Sequence, residues 1–572
     1  MITISKNDFL LLFSYFVLTT MVYVFPFLNL PLGFDTSWMF LIFSNDNNLA
    51  LPYYYESAGI VPGNIFESVK SLSLFYGRAS FLNLSQYWIL AKISPEISFI
   101  WRLIPVLSMS VSVFLWHKIF IRFNLPHVFI FILIYFLILD PASIWTDWNK
   151  AESTGFLFYS IACYYSLSKI NTHYYLAVFS FIIALFFKET FLIGASLIVL
   201  FRMYSSNEIK SYSFKNYILK FIANNKLFFI MNLNYLLFIF IYFLSIDLSN
   251  SYLLNLVVNR PDFLLFFIDY IKLQFPLYFS NLYFIYFPIL IFSLLFLIVD
   301  ILIISKNDSN RNFKIMLLIF YTFTFVIYFF VIYEFGLIQR RYAVPINMLN
   351  IMFFIFMFKF YKHAIKINQS IIISTIATIP CLYWLYNFNL ILSALALFTL
   401  LSIFFLVKFF NFSNLRFKLL KLVTVLFIIV PITDVLFVNL VANRSELIQW
   451  KEINTFIYNK IDPGSTLIAN LSENFIIEHV ITLETEAIIS GRNDIVFLVD
   501  VKTLPESIKG NQFQLNEIER FNTDKKLNFE QYYEIEKIDL QPQNNPELIE
   551  NIKNRYRTST YTSKYNIKFI TE

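Results

Sequence analysis

The apolar residues of this chain are gathered into long runs separated by short polar segments. A helix needs about 20 mostly apolar residues to cross the hydrocarbon core of a bilayer. Counting runs of that length bounded by charge or Pro predicts about thirteen spans. They lie at residues 9–29, 97–117, 126–140, 153–168, 174–187, 189–203, 227–246, 281–304, 315–333, 343–360, 370–387, 389–410 and 419–440.

Along the chain, connecting segments rich in basic residues alternate with connecting segments rich in acidic residues. With the N-terminus placed inside, one set of connecting segments is rich in Lys and Arg and poor in acids, and the other set holds most of the acids. The basic set includes Lys6, Lys118, Arg122, Lys169 and the loop at 202–226. Cytoplasmic loops carry the excess of Lys and Arg, so the N-terminus is expected to be cytoplasmic and the C-terminal region extracytoplasmic.

Three segments interrupt the array. A long first outer loop at residues 30–96 contains amphipathic stretches at 37–43 and 65–76, which are expected to lie in the membrane interface. A second outer segment covers residues 247–280. From residue 441 the chain turns polar, with a helix predicted at 445–460, a strand at 466–470 and apolar runs at 494–501 and 565–570.

The predicted fold is therefore an all-α polytopic membrane bundle over residues 1–440, followed by a small α/β extracytoplasmic domain over residues 441–572. Composition agrees, because 58% of residues are hydrophobic and 14% are charged, whereas globular proteins are about 25% charged. The run at 9–34 has no charge and no small-residue cleavage site, which favours a first span over a removable signal peptide.

The same composition argues against nucleic-acid binding and against structural sites built from cysteines. The net charge of +6 comes from short loops rather than from a basic domain, so no nucleic-acid partner is expected. Cys163 and Cys381 fall in separate apolar runs, so no disulfide framework or metal knuckle is expected.

Ionisable residues collect on the predicted outer face. They are Asp35 after the first span, Asp147 and Glu152 in the third outer turn, Lys188 between two runs, and Arg340 and Arg341 before a late span. A carboxylate can deprotonate an acceptor hydroxyl while cations stabilise a departing phosphate. A phosphate leaves as a stable anion, so this chemistry needs no general acid.

Each of these residues also has a structural interpretation. Asp35 can cap a helix or lie in the interface, and Asp147 or Glu152 can cap the span near residue 153. Lys188 and Glu189 can be a snorkelling pair that ends two helices. The arginine pair can anchor a span at the interface.

Five short motifs follow one another along the chain: Gly33-Phe34-Asp35, Leu51-Pro52-Tyr53-Tyr54, Trp101-Arg102-Leu103-Ile104-Pro105, Phe187-Lys188-Glu189-Thr190 and Arg341-Tyr342-Ala343-Val344-Pro345. In this order they resemble the GT-C superfamily of membrane glycosyltransferases, including its protein mannosyltransferase and aminoarabinose transferase types. The resemblance covers residues 1–440. Two features depart from it: Thr36 stands where many relatives have Glu, and the relatives' Pro-Pro is reduced to Pro52 and Pro62.

The resemblance implies an inverting transfer of a sugar from a polyprenyl-phosphate carrier to a glycan, lipid or protein outside a bacterial plasma membrane. Asp35 would be the base, and Asp147 or Glu152 the second acidic residue that positions the acceptor. Lys188, Arg340 and Arg341 would bind the phosphate. A divalent metal, Mg²⁺ or Mn²⁺, held by Asp35 and Asp147 is an option that the resemblance leaves open.

Two other functions compete with this one. An O-antigen-type polymerase also acts on lipid-linked glycans, but such proteins more often carry their large outer loop late in the bundle and lack a terminal domain. A transporter or lipid-carrier flippase tends to show two related halves, and no such duplication is visible in this sequence.

Overall fold

The computed structural model describes much of the N-terminal half of the chain and a group of strands near its C-terminus. The described helical residues are 6–23, 65–76, 80–93, 99–124, 151–205, 214–244 and 311–335, with isolated positions between 297 and 356. From residue 459 onward, the structure describes five strands, together with single positions and short stretches before and between them.

The described helical ranges contain ten α-helices and one 3-10 helix. They are α1 (Lys6–Tyr23), α2 (Ile65–Tyr76), α3 (Phe81–Ile93), α4 (Phe99–Arg122), α5 (Ala151–Ser166), α6 (Asn171–Phe187), the 3-10 helix (Glu189–Gly194), α7 (Ala195–Ser205), α8 (Phe214–Asn224), α9 (Lys226–Leu244) and α10 (Arg311–Phe335).

Helices occupy the described parts of the predicted spans. Helices α4, α5 and α6 lie at the apolar runs 97–117, 153–168 and 174–187, with ends shifted by a few residues. Among described residues, Leu103–Arg122 is long and apolar enough to cross a bilayer; Ile218–Asn224 with Lys226–Tyr242, bent by 69°, also qualifies if counted as one span.

The rest of the predicted array lies largely outside the described residues. This applies to the runs at 126–140, 370–387, 389–410 and 419–440, to most of 281–304 and 343–360, to the stretches at 37–43 and 247–280, and to all but one position of the helix predicted at 445–460. The bundle of about thirteen spans therefore stays a prediction.

Two helices form in segments that the sequence pattern assigns to loops. Helix α3 lies inside the first outer loop, and α8 lies inside the basic loop at 202–226. In α3, Asn83, Ser85 and Gln86 interrupt the apolar run, and lysines interrupt α8. A run-length criterion misses such helices, because it responds to apolar length and not to helical periodicity.

An aromatic core joins α4, α5 and α7. Trp116 is fully buried, with its ring centroid 5.7 Å from that of Phe120 and 6.4 Å from that of Phe201. Its indole N–H donates to the Ser160 hydroxyl at 3.0 Å, which satisfies the one polar atom of a buried Trp. Cys163 is a buried free thiol in the same core.

A ladder of polar contacts joins α1 to α4. Asp8 forms an ion pair with Lys118. The Tyr15 hydroxyl and His117 Nδ1 share a hydrogen bond of 2.6 Å. One further turn along, Thr19 and Ser110 share another of 2.6 Å between their hydroxyls. Interhelical hydrogen bonds of this kind hold helices together where apolar burial cannot distinguish a neighbouring helix from lipid.

Cations gather at one end of this bundle. The Arg122 guanidinium lies 4.2 Å from the Tyr164 ring centroid near the end of α5. Arg202, near the end of α7, donates to the Ser168 carbonyl at 2.7 Å. With Lys118 in the last turns of α4, three of the cations that the sequence predicts to be cytoplasmic lie at one end of the described helices.

The C-terminal strands form a parallel sheet and a separate antiparallel pair. Strand β1 (Thr466–Asn470) lies between β2 (Val496–Val499) and β3 (Tyr532–Glu536), with Thr466 opposite Val496 and Tyr532. Strands β4 (Arg557–Thr560) and β5 (Lys568–Thr571) pair antiparallel. The strand predicted at 466–470 is confirmed, and β3 and β4 had no counterpart among the predicted elements.

The connection from β1 to β2 contains helical turns. Val480, Leu483 and Ala487 are helical and buried, at a spacing that puts them on one helix face. Parallel strands need such a crossover. Helical residues thus lie between two parallel strands in the described part of this region, and the small α/β domain over residues 441–572 stays a prediction.

A charged turn fixes the entrance to the sheet. Arg492 donates from Nε to one carboxylate oxygen of Asp494 at 2.9 Å and from Nη2 to the other at 3.1 Å. Gly464, at φ +76°, donates its backbone N–H to Asp494 at 2.9 Å. Arg492 Nη2 also donates to the Ile461 carbonyl at 3.0 Å. Asp494 therefore joins the turn before β1 to the residues before β2.

The pH dependence of this turn has a defined sign. Hydrogen bonds from Arg492, and then from the Gly464 N–H, lower the pKa of Asp494 despite partial burial. A lowered folded-state pKa gives stability that is present above pH about 4 and is lost as pH falls through the folded pKa. Asp494→Asn should therefore destabilise the sheet by about 1 kcal/mol at pH 7.

The measurement is the urea midpoint for proteolysis of the C-terminal region in the full-length protein at pH 7 and pH 3. The difference between wild type and Asp494→Asn should shrink at pH 3, because this pH lies below the unfolded-state pKa of an Asp carboxyl and the stabilisation is lost as pH falls from there toward the lowered folded-state pKa. An equal difference at both values would show that the charge of Asp494 contributes nothing.

Candidate functional site

The apolar stretch from residue 171 to 205 is a broken helix. Helix α6 ends at Phe187, Lys188 adopts an extended conformation with φ −156° and ψ 117°, and a 3-10 helix then leads into α7. We call residues 188–194 the Lys188 segment. The sequence predicts that this stretch lies in a bilayer, where non-helical backbone is tolerated only if it is buried in protein or lines a cavity. The break is therefore taken as the candidate site.

Neighbouring groups satisfy the backbone around the break. The Lys188 N–H donates to the Ala184 carbonyl at 2.9 Å, and the Lys188 carbonyl accepts from the Phe191 N–H at 3.2 Å. The Tyr235 hydroxyl of α9 donates to the Leu185 carbonyl at 3.1 Å. A helix end leaves carbonyls that need partners from outside, and α9 supplies one here.

Two glycines let α5 approach the Lys188 segment closely. A Cβ placed on Gly155 would come within 2.5 Å of the Phe191 ring. A Cβ on Gly194 would come within 2.5 Å of the Tyr159 hydroxyl, which donates to the Gly194 carbonyl at 3.1 Å. The segment is thus held by α5 on one side and by α9 on another.

Lys188 lies inside the bundle. Its residue exposure is 5%, which disagrees with a snorkelling side chain that reaches water. It stands at the C-terminus of α6, where the helix dipole favours a cation, and Glu189 opens the 3-10 helix, where the dipole favours an anion. The two charges therefore complement the helix ends that meet at the break.

Glu189 faces helix α3 and α9. Ser80, just before α3, donates its hydroxyl to Glu189 Oε2 at 3.4 Å. The charge of Glu189 also acts on the Tyr235 hydroxyl. Six residues after Ser80, Gln86 of α3 accepts a hydrogen bond from the Thr154 hydroxyl of α5 at 2.9 Å. A half-buried patch of polar groups thus surrounds the break.

Of the six residues predicted for the site, the structure describes two. Lys188 lies in the break, and Glu152 lies in the first turn of α5, three residues before the Gly155 that packs on the Lys188 segment. The structure therefore brings these two to one end of the bundle. Asp35, Asp147, Arg340 and Arg341 lie outside the described residues.

Sequence reasoning passed over the residues around Lys188. Asn83, Gln86 and Thr154 were not candidates, and Glu189 was noted only as the neighbour of Lys188. A signal existed for α3, because Ser80, Asn83 and Gln86 recur every three residues between aromatic and aliphatic positions. For Thr154 no local signal exists, since its contact joins residues 68 positions apart.

The Mg²⁺ or Mn²⁺ site that the family resemblance leaves open would use Asp35 and Asp147, which lie outside the described residues. Carboxylate oxygens are the hard donors that Mg²⁺ and Mn²⁺ take, so these residue types fit such an ion. Within the described ranges, no group of three His, Cys, Asp or Glu residues converges on a point that could hold a metal.

Comparison with protein-family models, with curated proteins and with solved structures gives no match for this chain. The function is therefore argued from the residues and their geometry.

The close packing at the break makes a direct prediction. In Gly194→Ala the new methyl group would meet the Tyr159 ring and hydroxyl, and overpacking of this kind costs about 1–3 kcal/mol. The thermal unfolding temperature of the protein in nanodiscs should fall. Tyr159→Phe, which removes the hydroxyl and its hydrogen bonds to the Gly194 carbonyl and the Cys163 thiol without adding bulk, is the matched comparison and should cost about 1 kcal/mol. A Gly194→Ala protein as stable as wild type would contradict the close approach of α5.

Proposed function

We propose that this chain is a multi-pass glycosyltransferase of the plasma membrane, with a cytoplasmic N-terminus and an extracytoplasmic C-terminal domain. It would move a sugar from a polyprenyl-phosphate carrier to an extracytoplasmic glycan, lipid or protein. The observation that carries the proposal is the buried Lys188 at a helix break, next to a carboxylate and beside the start of α5.

The position of the break across the bundle supports an outer-face site. Helix α6 has 17 residues, which at 1.5 Å per residue span about 25 Å. Its N-terminus lies beside Arg202, which donates to Asn171 at 2.9 Å. Lys188 is therefore separated from the cation-rich end by nearly the thickness of a hydrocarbon core, about 30 Å.

A buried lysine suits a phosphate ligand. The ammonium offers three donors, and the low polarity around it strengthens its attraction for an anion. With Arg340 and Arg341 it would hold the phosphate of the carrier. The attraction between these cations and the phosphate grows as the phosphate gains negative charge on leaving. The cations therefore stabilise the transition state more than the bound donor, and this difference accelerates the reaction.

The transfer itself needs one base. Asp35 would take the proton from the acceptor hydroxyl as that oxygen attacks the anomeric carbon. The bond from that carbon to the phosphate oxygen breaks, and the phosphate leaves with its electron pair, so the configuration inverts. Asp147 or Glu152 would position the acceptor. A Mg²⁺ or Mn²⁺ ion held by Asp35 and Asp147, where present, would add positive charge beside the phosphate.

A transporter or flippase of lipid-linked glycans is the second candidate, and the broken helix favours it. Transporters place discontinuous helices at their substrate sites, and the extended Lys188 gives such a discontinuity. Proteoliposomes loaded with labelled lipid-linked sugar separate the two functions, because a transporter moves label without forming a new glycosidic bond. An O-antigen-type polymerase would instead place its essential carboxylate outside the first outer loop.

Replacement of the base tests the proposed chemistry. Asp35→Asn keeps the shape of the side chain but cannot accept the proton, and a general base contributes about 100-fold to 10,000-fold. The kcat for sugar transfer should fall by at least that lower factor, while donor binding is retained. Asp46→Asn, an acid of the same predicted loop, is the control. Unchanged transfer by Asp35→Asn would assign the base to another residue.

Replacement of Lys188 tests the phosphate site. Lys188→Ala removes the buried cation and should lower kcat/KM by about 100-fold. Lys188→Arg keeps the charge with a different donor geometry and should fall between this variant and wild type. Lys169→Ala is the matched control, because Lys169 is exposed in the turn between α5 and α6. Equal activity of Lys188→Ala and Lys169→Ala would rule out a phosphate role for Lys188.

A further inference from the structure

Three polar residues lie on one side of α3 and its first turn. Ser80, Asn83 and Gln86 follow each other at intervals of three residues, and residues at this spacing lie on the same side of a helix. We call them the α3 polar face. It extends over six residues, which is about 9 Å of helix, a length that covers a sugar ring.

The α3 polar face is turned toward the candidate site. At one end Ser80 donates to Glu189 at 3.4 Å, and at the other Gln86 accepts from Thr154 at 2.9 Å. Glu189 follows Lys188 directly, and Thr154 lies in the first turn of α5, near Glu152. The face therefore lies alongside the segment that would hold the carrier phosphate.

Two polar atoms of the α3 polar face, one on Asn83 and one on Gln86, have no partner among the described residues. Asn83 Oδ1 and Gln86 Nε2 are buried, and neither has a hydrogen-bond partner among the described residues. Buried polar atoms in folded proteins are normally paired, so two neighbouring exceptions require a reason. One of these atoms is an acceptor and the other is a donor. A pair of adjacent hydroxyl groups on a ligand complements them.

An aromatic wall adjoins the face. The Phe81 ring lies 5.2 Å from the Tyr242 ring and 6.0 Å from the Phe238 ring, between centroids. The Tyr242 hydroxyl donates to Ser73 of α2 at 2.8 Å. Binding pockets are lined mostly by apolar and aromatic side chains with a few placed polar groups, and this corner has that composition.

We propose that the α3 polar face binds two neighbouring hydroxyls of a sugar. Asn83 Oδ1 accepts from one hydroxyl and Gln86 Nε2 donates to the other. This inference rests on the proposed function, and it places a glycosyl group against Asn83 and Gln86, next to the Lys188 segment. The same chemistry fits a sugar on the polyprenyl-phosphate donor and a sugar on the acceptor.

Helix packing alone does not account for the face. The contact between Gln86 and Thr154 joins α3 to α5, as interhelical hydrogen bonds do. That contact uses only the carbonyl end of the Gln86 amide. It leaves Nε2 unexplained, and it does not involve Asn83.

The experiment compares binding of a lipid phosphate with and without a sugar. Full-length protein in nanodiscs is titrated with citronellyl phosphate and with citronellyl phosphate carrying glucose, mannose or N-acetylglucosamine. Nanodiscs avoid glycoside detergents, whose head groups would occupy the site. The variants are Asn83→Ala and Gln86→Ala. Ser85→Ala is the matched control, because the Ser85 hydroxyl donates within α3 to the Phe81 carbonyl at 2.8 Å.

Wild type should bind at least one glycosylated probe more tightly than citronellyl phosphate. Each of the two variants should reduce that preference by about tenfold, the usual effect of one lost hydrogen bond. Binding of citronellyl phosphate itself should stay at the wild-type value, which also shows that the variants are folded. Ser85→Ala should match wild type throughout.

Kinetics with the acceptor distinguish the source of the sugar. A tenfold rise in the acceptor KM with an unchanged donor preference assigns the face to an acceptor sugar and supports the proposal. Wild-type values for both measurements in both variants would overturn it. A wild-type protein that discriminates the probes but transfers nothing would refute the transferase and leave the sugar site standing.

Discussion

The carbonyl groups at the end of α6 constrain much of the surrounding structure. They have no following helical turn to bond to, and in an apolar environment an unpaired carbonyl is costly. Tyr235 reaches from α9 to the Leu185 carbonyl at the end of α6, and Tyr159 reaches from α5 to the Gly194 carbonyl at the end of the 3-10 helix. The contacts that stabilise the break therefore also fix α5 and α9 around it.

The two ends of the bundle have different chemistry for a related reason. At the cation-rich end, Lys118 pairs with Asp8, and Arg202 bonds to Ser168 and Asn171. Their contacts join α1 to α4 and join α7 to the start of α6. At the other end the polar groups are a lysine, a carboxylate, amides and hydroxyls drawn from several helices. Such a mixture is suited to a ligand with both phosphate and hydroxyl groups.

The sequence predicted the elements that depend on local patterns. Apolar length located α4, α5 and α6, and the strand-like run after the Asp462-Pro463-Gly464-Ser465 turn located β1. The run-length criterion did not predict α3, because polar residues interrupt its apolar run, although their spacing of three was a helical signal. The bond between Ser80 and Glu189 joins residues 109 positions apart. The fit of Gly155 against Phe191 likewise depends on packing that no short window contains.

The extended conformation of Lys188 lets two adjacent charges meet the ends of two different helices. Lys188 follows the last turn of α6, and Glu189 opens the 3-10 helix, so each charge lies at the helix end whose dipole it complements. Glu189 accepts a hydrogen bond from Ser80 beside α3, while Lys188 is buried in the bundle. One residue of β conformation thus brings a buried cation and a carboxylate into adjacent positions, each stabilised by a different helix end.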